Sequence, residues 1–170
     1  MSETVTEEAT AAPDRAAIRT EIVAMQSAYR DLVGRIGDAQ WKLRSGNPAW
    51  TCGQLAWHMA TGAGFIAGQI DGARKGKALN PPSFLMPVIY KVSELRVKIA
   101  SRKATRESVL ADFDAGTARL LGVLDSVADA ELSVSATALG ETRTIAQMFR
   151  MTTEHFAEHA PEIQTAIGAA

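Results

Sequence analysis

The residues best suited to chemistry in this chain are its three histidines, His58, His155 and His159. His155 and His159 are four residues apart in a segment with helical periodicity, a spacing that puts both rings on one face of a helix. If the helix that carries His58 packs against them, three imidazoles converge. Three histidines plus a water form the open, catalytic type of metal site, and imidazole suits zinc, nickel, iron or copper. An ordinary structural use, with two surface histidines and one core histidine, fits the same spacing.

Two more specific metal-binding motifs place histidine and glutamate at short spacings like those in this region. Di-iron bundles use Glu-x-x-His pairs, but neither Glu154 nor Glu158 has a histidine three residues later. The run from His155 to His159 matches the H-x-x-E-H signature of inverted zinc peptidases, with Glu158 as the general base. Only eleven residues follow His159, too few for the downstream ligand and cleft of such an enzyme. We interpret this match as accidental.

Gln54, Trp50 and Cys52 precede His58 in the sequence, and each has two interpretations. Gln54 and Thr51 have the spacing of a capping box, and Gln54 also lies one turn before His58, where it could orient the ring. Trp50 fits a hydrophobic staple at the helix start or a wall of the pocket. Cys52, the single cysteine, excludes an internal disulfide and a thiolate-rich zinc site. A buried, inert thiol is favoured over a nucleophile because no separate base accompanies it.

The elements that must position these residues are helices. Apolar residues at spacings of three and four, together with capping residues, predict a first helix from Asp14 to about Gly37 and a second from Thr51 to Asp71. A third is predicted from about residue 83 to Ser101, with an apolar stripe along it. A further helical segment opens at 104–105, as a separate helix or a kinked continuation, and the last helix begins at Thr144. The stripe of the third helix comprises Leu85, Val88, Ile89, Val92, Leu95 and Ile99.

Composition limits the class of protein. The chain has 170 residues, 46% of them hydrophobic, with a formal net charge of −1, which predicts one globular domain over residues 14–170 and argues against nucleic-acid binding. No apolar run reaches the ~20 residues that span a bilayer. Residues 1–13 are acidic and polar, unlike a signal peptide, and are predicted to be a disordered arm. We therefore expect a cytoplasmic, all-α protein with four principal helices in a bundle.

These residues together resemble a known family. Trp50-Thr51 followed by Gln54 and His58, and then His155-x-x-x-His159 on a late helix, is similar to the DinB/YfiT-like superfamily over residues 14–167. The resemblance implies a four-helix bundle with up-down-down-up topology, often dimeric. It also implies a divalent metal held by the three histidines, zinc or nickel first and iron or manganese next. Many members have glutamate where this chain has Gln54.

The resemblance also implies an activity. Characterised relatives include transferases and isomerases that use a small thiol such as mycothiol or bacillithiol. We therefore expect a metal-dependent S-transferase or isomerase that takes a small-molecule thiol and an electrophilic substrate, in a chain that forms a homodimer. The alternative is a non-catalytic metal- or ligand-binding bundle with a stress-associated accessory role. The residues leave open whether the chain is an enzyme.

Overall fold

The computed structural model of the protein describes residues 14–168, so the arm predicted for residues 1–13 lies outside the described part. Seven α-helices and one short β-hairpin follow one another within this range. The helices are α1 (Arg15–Gly34), α2 (Asp38–Trp41), α3 (Cys52–Arg74), α4 (Met86–Ala100), α5 (Arg106–Ser126), α6 (Asp129–Leu132) and α7 (Ile145–Gly168). The antiparallel hairpin pairs β1 (Ser135–Ala138) with β2 (Glu141–Thr144), and 3-10 turns at Ser83–Leu85 and Ser101–Lys103 flank α4.

Side-chain caps fix where the long helices begin. The Asp14 carboxylate accepts from the backbone N–H of Ala16 at the start of α1. Thr51 and Thr105 each form a capping box at the start of α3 and α5. Thr144 and Gln147 exchange the same pair of bonds before α7. The helix starts predicted at residues 14, 51 and 144 are therefore confirmed, and α5 is a separate helix.

The bundle consists of α1, α3, α5 and α7, and inter-helix contacts give their directions. Arg19 pairs with Asp125 and Arg30 with Asp114, so α1 and α5 are antiparallel. Tyr29, fully buried in α1, donates from its hydroxyl to a carbonyl of α3 and stacks on a ring of α5 at 3.8 Å between centroids. This residue ties three of the four helices together.

The remaining directions come from contacts of α3 and α7. Gly64 lies against Gly116 and Arg74 bonds to Ser126, so α3 runs parallel to α5. Glu21 pairs with Arg150 of α7, and Gln40, just after α1, donates to the carbonyl of Ile167, so α1 and α7 are parallel. The chain order is therefore up-down-down-up, as the resemblance implied. Parallel neighbours cannot be joined by a tight turn, and the segment with α4 supplies the crossover from α3 to α5.

Small residues let α3 and α5 approach closely. A Cβ atom on Gly116 would lie 2.8 Å from the backbone nitrogen of Gly64, closer than such atoms approach one another in folded proteins. The two glycines, one on each helix, therefore permit the close approach of α3 and α5 at this contact. At the other end of α3, Gly53 lies beneath the indole of Trp41 and packs α2 against the bundle.

The predicted apolar stripe of the third helix is wrong as a core-facing stripe. Five of its six residues are exposed, among them Val88 at 59% and Val92 at 61%. The buried residue of α4 is Val97. The physical reason is that α4 crosses outside the bundle against α3 and buries only a narrow edge, so its wide apolar face meets no other described helix.

Two further features of the helices concern the proline in α7 and the apolar character of the helices. Pro161 lies inside α7, and the helix continues past it to Gly168. Between residues 14 and 168 none of the helices has both the length and the apolar character needed to cross a membrane.

The α3–α5 contact gives a stability prediction. Gly116→Ala is expected to lower the free energy of unfolding by about 1–3 kcal/mol, because the added methyl forces two backbones apart. The control is Gly122→Ala in the same helix, where a Cβ meets nothing within 4 Å. That variant is expected to gain up to ~1 kcal/mol from helix propensity alone. Urea unfolding measures both variants, and equal effects would contradict the close-contact interpretation.

Candidate metal centre

The antiparallel packing of α7 on α3 brings the three histidines to one place. The Nε2 atoms of His58 and His155 are 2.9 Å apart. One ring nitrogen from each of the three residues lies within 4.8 Å of the others, and the ring planes are inclined to one another by 72–85°. Two nitrogens bound to one zinc at 2.0–2.1 Å would be roughly 3.3 Å apart. The donor set is therefore suited to a single divalent ion, with small shifts of the rings bringing all three nitrogens to bonding distance.

A carboxylate holds the third histidine from behind. Nδ1 of His159 lies 2.7 Å from Oε2 of Glu162, so this nitrogen donates to the carboxylate and Nε2 is the ring nitrogen available to a metal. Glu162 in turn accepts from the side-chain amide of Asn47 at 3.2 and 3.4 Å. Its backbone carbonyl accepts from Gly46 N–H at 2.8 Å. The connector before α3 thus fixes the side chain that orients His159.

Sequence reasoning missed Glu162 and Asn47. The local signal was the i, i+3 spacing of His159 and Glu162 on one helix, which places the carboxylate beside the ring. Asn47 had no comparable signal, because its contact with α7 spans 115 residues of sequence.

Trp50 and Gln54 have different surroundings. The indole of Trp50 packs against the ring of His58, 4.6 Å between centroids, and meets the edge of His159 at 6.3 Å. Only 8% of Trp50 is exposed, so it is a wall of the histidine cluster. The side-chain oxygen of Gln54 accepts a hydrogen bond from the N–H of Thr51 at 3.0 Å, so Gln54 acts as the capping-box partner of Thr51.

Comparison with known proteins places this arrangement in a family. The model of the DinB superfamily matches residues 21–163. The chain belongs to the DinB superfamily. A search of curated proteins gives no significant match.

Solved structures share the fold of this DinB protein. A mycothiol-dependent maleylpyruvate isomerase superposes with a TM-score of 0.70 at 15% identity, and a histidine-to-alanine variant of it with 0.69 at 16%. Each match covers 88% of this chain but 60% of the isomerase, so the DinB chain spans well under two thirds of the isomerase's length. An uncharacterised protein from Clostridium difficile 630 gives a TM-score of 0.68 at 11% identity, covering 89% of this chain and 94% of that one. At these identities the likeness establishes the fold alone.

Burial keeps two of the histidines of the DinB chain neutral. Desolvation, with a smaller contribution from the neighbouring histidines, lowers the pKa of His58 to about 3. The same cause, with His159 second, lowers the pKa of His155 to about 4. Both rings are therefore unprotonated at neutral pH, the form that donates a lone pair to a metal.

The cluster opens into a mostly apolar cavity of about 530 Å³ between α3, α4, α7 and the hairpin tip. The tip residue Leu139 lines this cavity, and its N–H donates to the carbonyl of Leu79 at 2.7 Å. The hairpin tip thus forms one wall of the cavity. All three histidines and Trp50 line the cavity, together with two carboxylates, Glu94 and Glu158, and with Phe65, Ile66, Tyr90, Ser93 and Met151.

Cys52 is buried at the start of α3, and burial raises the pKa of its thiol. A raised pKa disfavours the thiolate, so the residue is unsuited to act as a nucleophile at neutral pH.

The Glu162 contact gives a prediction for metal affinity. Glu162→Gln is expected to weaken zinc binding about tenfold, and Glu162→Ala more, because the ring of His159 loses its anionic hydrogen-bond partner. Competition with a chromophoric chelator measures the affinity. Gln164→Ala, an exposed change on the same helix, is the control. Unchanged affinity in both Glu162 variants would show that the carboxylate does not support the ligand.

The low histidine pKa values give a prediction for acid stability. In the unfolded chain a histidine titrates near 6.5, whereas His58 and His155 in the fold titrate at about 3 and 4. Between these values the unfolded chain binds more protons, so the stability of the metal-free protein falls as pH drops from about 6.5 towards 4.

Urea midpoints measured with chelator between pH 7.5 and 4.5 test this dependence. His58→Gln should show a shallower loss than the unaltered chain, since one titrating group is gone, while the acidic residues common to both cancel in the difference. Parallel curves would contradict the assignment of the lowered pKa to this ring.

Proposed function

We propose that this DinB protein binds one divalent metal ion through His58, His155 and His159 and is a small-thiol-dependent S-transferase or isomerase. Zinc or nickel is the first candidate, and iron or manganese the next. The observation that carries the proposal is the convergence of three imidazole rings at the base of a mostly apolar cavity. A site with three protein ligands leaves coordination positions for a substrate.

The chemistry suits a thiol. A divalent ion held by three imidazoles lowers the pKa of a thiol that reaches it, so that a thiolate nucleophile is available at neutral pH. The chain's own contribution is positional. Glu162 orients the ring of His159 through Nδ1, and the indole of Trp50 covers His58.

The cavity walls supply the second requirement, which is exclusion of water. Phe65, Ile66 and Met151 are apolar and line the space in front of the histidines. A hydroxide competing with the thiol would give hydrolysis instead of transfer, so a wall that limits water favours transfer. The electrophilic carbon of the second substrate would be attacked in the same space.

One solved structure supports the choice of a thiol as a substrate. The isomerase with a TM-score of 0.70 is mycothiol-dependent. The DinB chain lacks a counterpart to about two fifths of that protein's length, so a thiol role and an isomerase activity are carried over here as proposals, without a particular thiol or electrophile.

Elemental analysis tests the metal first. We expect near one metal ion per chain in the native protein and its loss in His155→Ala purified alongside, with Gln164→Ala retaining the native content. Circular dichroism checks that the variant stays helical. Absence of metal after reconstitution with zinc, nickel and manganese would overturn the proposal.

Cobalt substitution then tests the thiol. The visible spectrum of the cobalt-loaded protein is expected to change when a small thiol is added, because sulfur enters the coordination sphere, and to stay unchanged with the corresponding alcohol. A cobalt spectrum insensitive to every thiol tried would instead support the non-catalytic metal-binding bundle.

A further inference from the structure

The charged side chains beside the histidine cavity differ between its hairpin side and its α3–α4 side. Towards the hairpin, a cavity of about 380 Å³ is lined by three carboxylates and one arginine. That arginine, Arg143, donates to Glu141 and Glu154 at 2.8 Å each, so its charge is already compensated. The hairpin end is therefore acidic.

The opposite end is basic. A second cavity of about 380 Å³ extends from His58 between α3 and α4, and its lining contains Arg96 and Arg119 but no carboxylate. Phe65 and Ser93 line this cavity and also both of the others, so the three spaces are continuous with the histidine centre.

Arg119 lies against the backbone of α3. Its Nη1 is 3.4 Å from the carbonyl oxygen of Gly64, and its Nη2 is 3.5 Å from the position that a Cβ on Gly68 would take. The absence of side chains at these two positions makes room for the guanidinium. Asp71, one turn further along α3, is paired with Lys75 at 2.7 Å.

Arg96 reaches the same cavity from α4. Glu94, the acidic residue nearest to it in sequence, is bound by Lys98 at 2.6 Å and by Lys91 at 3.4 Å. Across residues 14–168, neither Arg96 nor Arg119 has a carboxylate within ion-pair distance. Two guanidinium groups thus share a cavity whose lining contains no acidic side chain, and Asp71, whose lowered pKa has the charge of Arg119 among its smaller causes, lies outside that lining.

We propose that this basic cavity is a subsite for an anionic group, a carboxylate or a phosphate, on the second substrate. Guanidinium groups bind planar oxyanions with paired, charge-assisted hydrogen bonds. An anion held by Arg96 and Arg119 would extend the rest of its molecule past Phe65 towards His58, while the acidic hairpin end repels the reversed orientation. The assignment of this ligand as a substrate rests on the proposed function; binding of the anion does not.

Binding to the metal-free protein tests the subsite. Benzoate, phenyl phosphate and benzamide share a ring and differ in the polar group, so ligand-observed NMR titrations with chelator present isolate the charge. We expect at least one of the two anions to bind, and benzamide to bind roughly tenfold more weakly or not at all. The preferred anion distinguishes the carboxylate source from the phosphate source.

Variants locate the bound anion. Arg96→Gln and Arg119→Gln are each expected to weaken binding of the preferred anion roughly tenfold. Arg102→Gln, an exposed arginine outside the cavities, and Arg143→Gln, the compensated arginine, are expected to leave it unchanged. Urea unfolding confirms that all four variants fold.

Three results would overturn the proposal: benzamide binding as tightly as both anions, equal weakening by Arg102→Gln, or a loss confined to Arg143→Gln. Because the titration contains no metal and no thiol, its failure is separate from failure of the proposed function, which the metal content and the cobalt spectrum decide.

Discussion

The contact of α3 with its neighbours on two sides sets the geometry on which the rest of the molecule depends. On one side the backbone of α5 reaches α3 at Gly64, and on the other the ring of His155 lies against Gly62, where a Cβ would be 3.1 Å from the ring. A side chain at Gly116 would separate α5 from α3, and one at Gly62 would crowd the ring of His155. Glycines lower the intrinsic helix propensity of α3, but they also allow α3 to pack closely against its neighbours in the bundle.

The same packing resolves an electrostatic difficulty. Three histidines in contact could not all be charged, since each charge would be poorly solvated and would repel the others. Burial keeps His58 and His155 neutral, and the carboxylate of Glu162 accepts a hydrogen bond from Nδ1 of His159. The cavity in front of the cluster also contains Glu94 and Glu158, and the two arginines without an ion-pair partner within residues 14–168 line the space on the α3–α4 side.

Local patterns in the sequence predicted the parts that depend on local chemistry. The capping pairs at Thr51 and Thr144 fixed helix starts, and the i, i+4 spacing of His155 and His159 placed both rings on one face. The up-down-down-up order came from family resemblance, since periodicity carries no information on direction. The role of Asn47, the hairpin wall and the exposure of α4 depend on contacts between distant segments. Periodicity shows that a helix has an apolar face but not whether another element covers it.

The exposed face of α4 has a consequence for motion. A helix with Val97 as its buried residue loses little apolar contact when it detaches, so its amide hydrogens should exchange through local opening at a lower free energy than those of the four bundle helices. Yet α4 supplies Tyr90, Ser93 and Arg96 to the cleft. The least anchored helix is therefore also a wall of the site. A ligand that contacts both α4 and α3 would slow amide exchange in α4, because it stabilises the attached state. Ligand binding would then order α4 without changing the four bundle helices.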